Sequence, residues 1–197
     1  DILDTGNVAY GVSPGNHDQP TTNYNIYFGA SRFSGKSYYG GNYDGTNDNN
    51  YALFTAGGMD FIAIQLQYNP DTNMLNWADG LLKTFSSRRG IVLSHNILNT
   101  NNTWSNEAIF TALKDNANLF LMLCGHMHTS SDGAAMRTET GVSGNTIYVL
   151  MSDYQEFTSG GNGYLRIMEF VPNTDKINIS TYSPTLGSYE TSDPLNT

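Results

Sequence analysis

Leu119-Phe120-Leu121-Met122-Leu123-Cys124-Gly125-His126-Met127-His128 joins an apolar run directly to a glycine and two histidines. A short continuous apolar run bounded by glycine reads as a strand buried on both faces, the kind that parallel sheets contain. Past its end, His126 and His128 are two residues apart. On an extended chain both therefore point to one face while Met127 points back toward the core. Cys124, the one cysteine of the chain, reads as a small buried hydrophobe.

Two further segments repeat the arrangement. Ile91-Val92-Leu93 reads as a buried strand that delivers His95, and Val8 to Val12 as a short strand leading through Ser13-Pro14 into Gly15-Asn16-His17-Asp18. These three segments hold all four histidines of the chain. Glycine permits a tight turn and a close backbone approach to a bound group. One histidine beside an apolar run is ordinarily a hydrogen-bonded structural residue. Gly-Asn-His-Asp, a strand-end His and Gly-His-X-His in this order instead point to a metal site. Neutral imidazoles with an amide oxygen suit zinc, manganese, iron or nickel, whereas calcium and magnesium prefer cages of carboxylates and carbonyls. His126 and His128 can each serve one of two adjacent ions, and ions roughly 3.5–4 Å apart form the clamp used for in-line displacement at phosphorus.

Gly15 to Asp18, His95 and Gly125 to His128 resemble the later motifs of the calcineurin-like metallophosphoesterase family. That family's pattern runs Asp-X-His, Gly-Asp, Gly-Asn-His-Asp/Glu, a strand-end His and Gly-His-X-His. The likeness extends through Tyr51 to Leu66, the helix and strand into His95, Asp153-Tyr154-Gln155 and Gly160 to Phe170, where the chain is similar to secreted bacterial members. The resemblance implies an α/β fold, a four-layer αββα sandwich of two mixed sheets with helices outside, and a single domain over residues 1–197. It implies that Asn16, His95 and His126 ligate the second of two divalent ions and His128 the first. A metal-bound hydroxide would attack phosphorus, His17 would act on the leaving group, and Asp18 would orient the loop or a neighbouring imidazole. The substrate class implied is a phosphate monoester or diester.

The departure from the pattern is informative too. Nothing before Gly15 matches Asp-X-His or Gly-Asp, and Asp1-Ile2-Leu3-Asp4-Thr5-Gly6 lies too close to the third motif to hold a strand, a helix and a second strand. Asp1 and Asp4 are poor substitutes, having no neighbouring histidine and no preceding apolar strand. The expectation is an N-terminally truncated domain that lacks its first βαβ segment. Its metal occupancy would be weak or partial, its activity impaired, and its open edge and apolar face prone to self-association.

Composition sets the remaining bounds. The chain has 197 residues, 39% of them apolar, and a formal net charge of -9 with nine Lys plus Arg. That suits one domain with a sizeable core, and it disfavours nonspecific binding to nucleic-acid backbones or anionic membranes. An ion would be the main local positive charge for a phosphoryl group. Few lysines and many Asn, Gly, Ser, Thr and Tyr lean toward an extracellular or periplasmic protein. A second reading is a catalytically inactive extracellular module that uses the same scaffold to bind a carbohydrate or protein.

The apolar pattern predicts the other elements. Gly35 to Asn50 reads as a long surface loop near the site mouth. Tyr51 to Ala56 and Asp60 to Leu66 read as a hairpin turning at Gly57-Gly58, and Asn73 to Ser86 as an amphipathic helix. A second helix starts near Ser105 or Asn106. Thr146 to Met151, Gly163 to Phe170 and Lys176 to Tyr182 read as strands of one antiparallel region. Tyr154, Trp77 and Trp104 read as packing residues.

Overall fold

The apolar run Leu119–Cys124 lies in the middle of a seven-stranded sheet, with parallel neighbours on both sides. The structure, a computed structural model, describes residues 2–191. Along the chain come α1 (Ile2–Thr5), a 3-10 turn at Asn16–Asp18, α2 (Thr22–Phe28), α3 (Ala30–Phe33), β1 (Tyr39–Asn42), β2 (Asn50–Ala56) and β3 (Met59–Leu66). They are followed by α4 (Thr72–Thr84), β4 (Arg89–Ser94), α5 (Glu107–Leu113), β5 (Leu119–Cys124), β6 (Ala134–Thr140) and β7 (Thr146–Ser152). Last are α6 (Thr158–Gly161), β8 (Leu165–Val171), a 3-10 turn at Pro172–Thr174, β9 (Lys176–Ser183) and β10 (Ser188–Tyr189).

The larger sheet has the order β1-β2-β3-β4-β5-β7-β6. Its inner strands β3, β4, β5 and β7 run parallel, and β1, β2 and β6 are antiparallel additions at the two sides. A second sheet, β10-β9-β8, is antiparallel throughout. The fold is thus mixed α/β.

Alternation along the parallel strands builds two cores. Val92, Met122, Val149 and Met151 face α4 and α5, joining Leu75, Ala78, Leu82, Ile109 and Leu113. Ile91, Leu121, Leu123 and Leu150 face the small sheet and meet Met168, Phe170, Ile177 and Ile179. Leu119 belongs to the helix side although it is two residues from Leu121. The register shift in the β4–β5 ladder, where Gly90 pairs with Leu119 and Ile91 with Leu121, explains this: one extra residue, Phe120, reverses the alternation.

Helix α4 starts at Asp71, whose carboxylate accepts from the backbone N–H groups of Asn73 (2.8 Å) and Met74 (3.0 Å). Such a cap contributes about 1 kcal/mol. Beyond its far end the Asn118 amide donates to the carbonyls of Leu82, Phe85 and Arg88 at 3.1, 3.3 and 2.9 Å. The hairpin turn at Gly57-Gly58 has φ of +58° and +76°, the left-handed pair that a two-residue turn favours.

Several expectations are corrected. Val8 to Val12 joins no ladder among the described residues; side chains hold its end instead, with the Val12 carbonyl accepting from Tyr24 Oη and Asn50 Nδ2. The Gly35 to Asn50 stretch contains β1, bulged at Gly40. Thr146 to Met151 does not share an antiparallel region with the last two strands: β7 runs parallel to β5 in the large sheet, and β8 and β9 form the other. Only the larger sheet is mixed, and the described residues make three layers, helices, large sheet and small sheet, where four were expected. On its outer face the small sheet leaves Leu165, Ile167 and Tyr189 exposed. Asp1 lies outside the described residues. Asp4 is engaged by Arg32 (2.6 Å) and Lys36 (3.2 Å). No helix among the described residues is long and apolar enough to cross a membrane.

Candidate metal centre

The parallel strands end together, and their ends carry the site. Tyr68 follows β3, His95 follows β4, His126 follows β5 and Asp153 follows β7. Loops beyond the carboxyl ends of parallel strands are where such sheets place their sites. Ser94 Oγ donates to the Gln67 carbonyl (3.1 Å) and ties the ends of β3 and β4. The segment before Asn16 docks on the same edge, through Ser13 Oγ to the Leu66 carbonyl (3.0 Å) and the Tyr68 N–H to the Pro14 carbonyl (3.1 Å).

Three of the four sequence-predicted ligands converge. His95 Nε2 lies 2.9 Å from Asn16 Oδ1 and 3.1 Å from His126 Nδ1. One imidazole nitrogen cannot satisfy both partners. If His95 Nε2 carries the proton it can give it to only one of them; if it does not, its lone pair faces the lone pairs of the amide oxygen. A shared cation resolves that conflict, because all three atoms then act as donors to it. Atoms held about 2.0–2.2 Å from one tetrahedral ion lie roughly 3.3–3.5 Å apart, a few tenths of an ångström from the spacing here. The donor set therefore fits a borderline divalent ion.

Electrostatics favours the ligating form of His95. Burial, and next the neighbouring His126, hold its imidazole below the ordinary histidine value, with Asp153 and Asp18 acting in the opposite sense. A neutral ring is what a metal requires. Among the described residues no group of three His, Cys, Asp or Glu is placed to hold an ion. The convergent set is two imidazoles and an amide.

Close backbone approach positions these rings. A Cβ on Gly15 would sit 3.0 to 3.2 Å from three atoms of the His95 ring, so the imidazole lies directly on the glycine backbone. Asp18 Oδ2 accepts from the Gly15 N–H at 2.7 Å, which makes Asp18 the brace of the turn that presents Asn16. His126 has a φ of +70°, a left-handed conformation that costs a non-glycine residue roughly 1–3 kcal/mol. It is kept there by bonds on either side, Gly125 N–H to the His95 carbonyl (3.1 Å) and Met127 N–H to the Gly125 carbonyl (2.8 Å).

Of the remaining predicted residues, Asp18 and His17 are near enough to act electrostatically on His95. His128 has other partners: its Nε2 contacts the Gln155 amide and its Nδ1 is 3.9 Å from Glu156 Oε1. His17 is exposed on the 3-10 turn. Beside that turn a hollow of about 290 Å3 is lined by Val12, Asp18, Tyr24, Tyr27 and Phe28. Cys124 is partly buried, its thiol pushed up to about 11 by desolvation. Tyr154, buried and bonded to Thr181 Oγ1 (3.0 Å), is a packing residue. Trp77 packs on Tyr51 and Trp104 on Phe110.

Tyr68 was not singled out by sequence reasoning. Its ring centroid is 5.8 Å from that of His95 and 5.4 Å from that of His126, which are 4.8 Å from each other. Three adjacent parallel strands thus deliver three mutually packed rings. The only sequence signal was an aromatic just beyond an apolar strand, a pattern that packing residues share.

No family model matches the chain. Its sequence is 32% identical to the uncharacterized protein YvnB of Bacillus subtilis (strain 168), over 197 aligned positions that take in 93% of this chain and 15% of that protein. The chain therefore spans about 15% of the length of that curated relative.

Proposed function

We propose that the chain carries the later half of a metal-dependent phosphoesterase site of the calcineurin-like type, in a secreted protein that hydrolyses phosphate monoesters or diesters. The observation that supports this most is the meeting of Asn16 Oδ1, His95 Nε2 and His126 Nδ1 at hydrogen-bond distances no protonation pattern satisfies fully. Within this reading those three residues hold one divalent ion. His128 belongs to a second ion whose other ligands, the family's Asp-X-His and Gly-Asp carboxylates, have no counterpart among the described residues. A bound divalent ion supplies Lewis acidity and neutralises charge on phosphoryl oxygens. The rest is the work of side chains. Asn16 and the two imidazoles set the ion's place, Gly15 admits the His95 ring, and Asp18 braces the turn. His17, exposed beside the aromatic hollow, donates a proton to the departing oxygen.

Titration of metal-depleted chain with Mn2+ or Zn2+ tests the site. One ion should bind per chain, and His95→Ala or His126→Ala should weaken it at least 100-fold. Equal binding by wild type and both variants refutes the assignment, as does the absence of saturable binding. With a segment carrying Asp-X-His and Gly-Asp supplied, hydrolysis of bis-aryl or aryl phosphate should depend on the same ion and collapse in His17→Ala, while metal content is retained.

A further inference from the structure

At the opposite end of the parallel strands, the two sheets part to form a cleft of about 650 Å3. Strand β4 separates the two places: Arg89 opens it at the cleft and His95 follows its other end, roughly 20 Å away at about 3.3 Å per residue. The lining is mixed, with Thr146, Asp175 and Asn178 among its polar residues and the apolar side chains gathered where the two sheets face each other. Phe120, Leu121 and Leu150 come from the large sheet, and Phe170, Ile177 and Ile179 from the small one. Met136 and Tyr148 extend the lining toward β6 and are themselves exposed, at 39% and 42%. Volumes of about 300–1,000 Å3 are those in which small ligands are enclosed.

The mouth is cationic. Arg89 and Lys176 both line it, two of only nine Lys plus Arg in a chain of net charge -9. The Arg89 guanidinium carbon lies over the Phe120 ring, 4.3 Å from its centroid, which places the charge beside the apolar side chains. Its carboxylate neighbour is loosely held: Asp175 Oδ1 is 3.9 Å away on a side chain that is 91% exposed. An exposed pair of that kind is weakly held, so a carboxylate anchored by an apolar tail displaces it.

We propose that this cleft binds a free long-chain carboxylate, its alkyl tail between the sheets and its acid group on Arg89 with Lys176. Charge complementarity selects that occupant. The protein as a whole attracts cations, so nonspecific adsorption favours a cationic amphiphile, whereas this mouth favours an anionic one. The metal centre takes no part in this binding.

Calorimetric titration with dodecanoate, kept below its micelle concentration, is the test. Dodecanoate should saturate at one per chain. Dodecyltrimethylammonium, with the same tail and opposite head, should bind at least tenfold more weakly. Arg89→Glu should weaken dodecanoate at least tenfold, and Leu150→Trp, which fills the cleft, should abolish binding. Arg89 is partly exposed, so its variant keeps the test decisive if the tryptophan variant fails to fold. Equal binding of the two amphiphiles, unsaturable binding, or an unchanged affinity in Arg89→Glu overturns the proposal. A concentration-dependent dimer that dodecanoate leaves intact does so too, assigning the cleft to a second copy.

Discussion

Replacing Gly15 by alanine isolates one contact. The Gly15 backbone, φ -91° and ψ -175°, is open to any L residue, so the substitution adds no conformational strain. The new methyl would lie 3.0, 3.1 and 3.2 Å from His95 Cε1, Nε2 and Nδ1, inside the roughly 3.5–4.0 Å at which carbon contacts become favourable. The imidazole must retreat by about 0.5 Å, several times less than a side-chain length but more than the ±0.2 Å within which a metal–ligand distance is held. Displacing a ligand in this way costs about 10–100-fold in metal affinity. Stability should change little, because the loss of unfolded-chain entropy gives back about 0.4–1 kcal/mol. Mn2+ or Zn2+ titration, with thermal melts in chelator alongside, reads both quantities. An affinity within twofold of wild type at unchanged melting temperature would refute the argument that His95 rests on this glycine to ligate an ion.

Gly80 supplies the contrast: it lies within α4 with nothing within 4 Å of its would-be Cβ, so Gly80→Ala should stabilise by about 1 kcal/mol in a denaturant titration and leave metal affinity untouched. Asn118→Ala strands three carbonyls at the end of α4 and should cost about 1–3 kcal/mol, measured as a lower denaturation midpoint; no change would mean water takes over all three bonds. Tyr68→Ala should weaken metal binding several-fold by freeing both imidazoles, while Tyr68→Phe should not, since the packing is by the ring. Cys124, with its thiol raised to about 11 by burial, should resist a disulfide reagent at pH 8 until the protein is unfolded. Its unfolded form ionises first as pH rises, so native stability should be complete below about 8.5 and decline between there and the folded value; a Cys124→Ala variant should lose that part of the alkaline decline.

What could be read in the sequence was set by burial. Leu119–Cys124, Ile91 to Leu93 and the Leu75, Ala78, Leu82 stripe of α4 are buried on faces whose periodicity is visible in the chain, and they stand where the pattern put them. The grouping of Asn16, His95 and His126 was legible for another reason, the likeness of Gly-Asn-His-Asp, the strand-end His and Gly-His-X-His to motifs of a known family. Strand β6, Ala-Ala-Met-Arg-Thr-Glu-Thr, escaped because it lies at the sheet's side with Met136, Thr138 and Thr140 exposed. Helix α2 escaped because Tyr24 alone is buried there while Ile26 and Tyr27 face out. Val8 to Val12 misled, since its alternation suits a strand but its carbonyl partners are side chains far along the chain. The direction of β7 is a matter of which neighbour it pairs with, which local pattern does not encode.

The separation of the converging residues along the chain also governs when the centre can come into being. Asn16 and His95 are 79 residues apart and His95 and His126 a further 31, so bringing all three together before the strands have paired means closing two long loops at once. Divalent ions should therefore leave the refolding rate unchanged and slow unfolding instead, acting as a late lock on an assembled sheet and not as a nucleus for it.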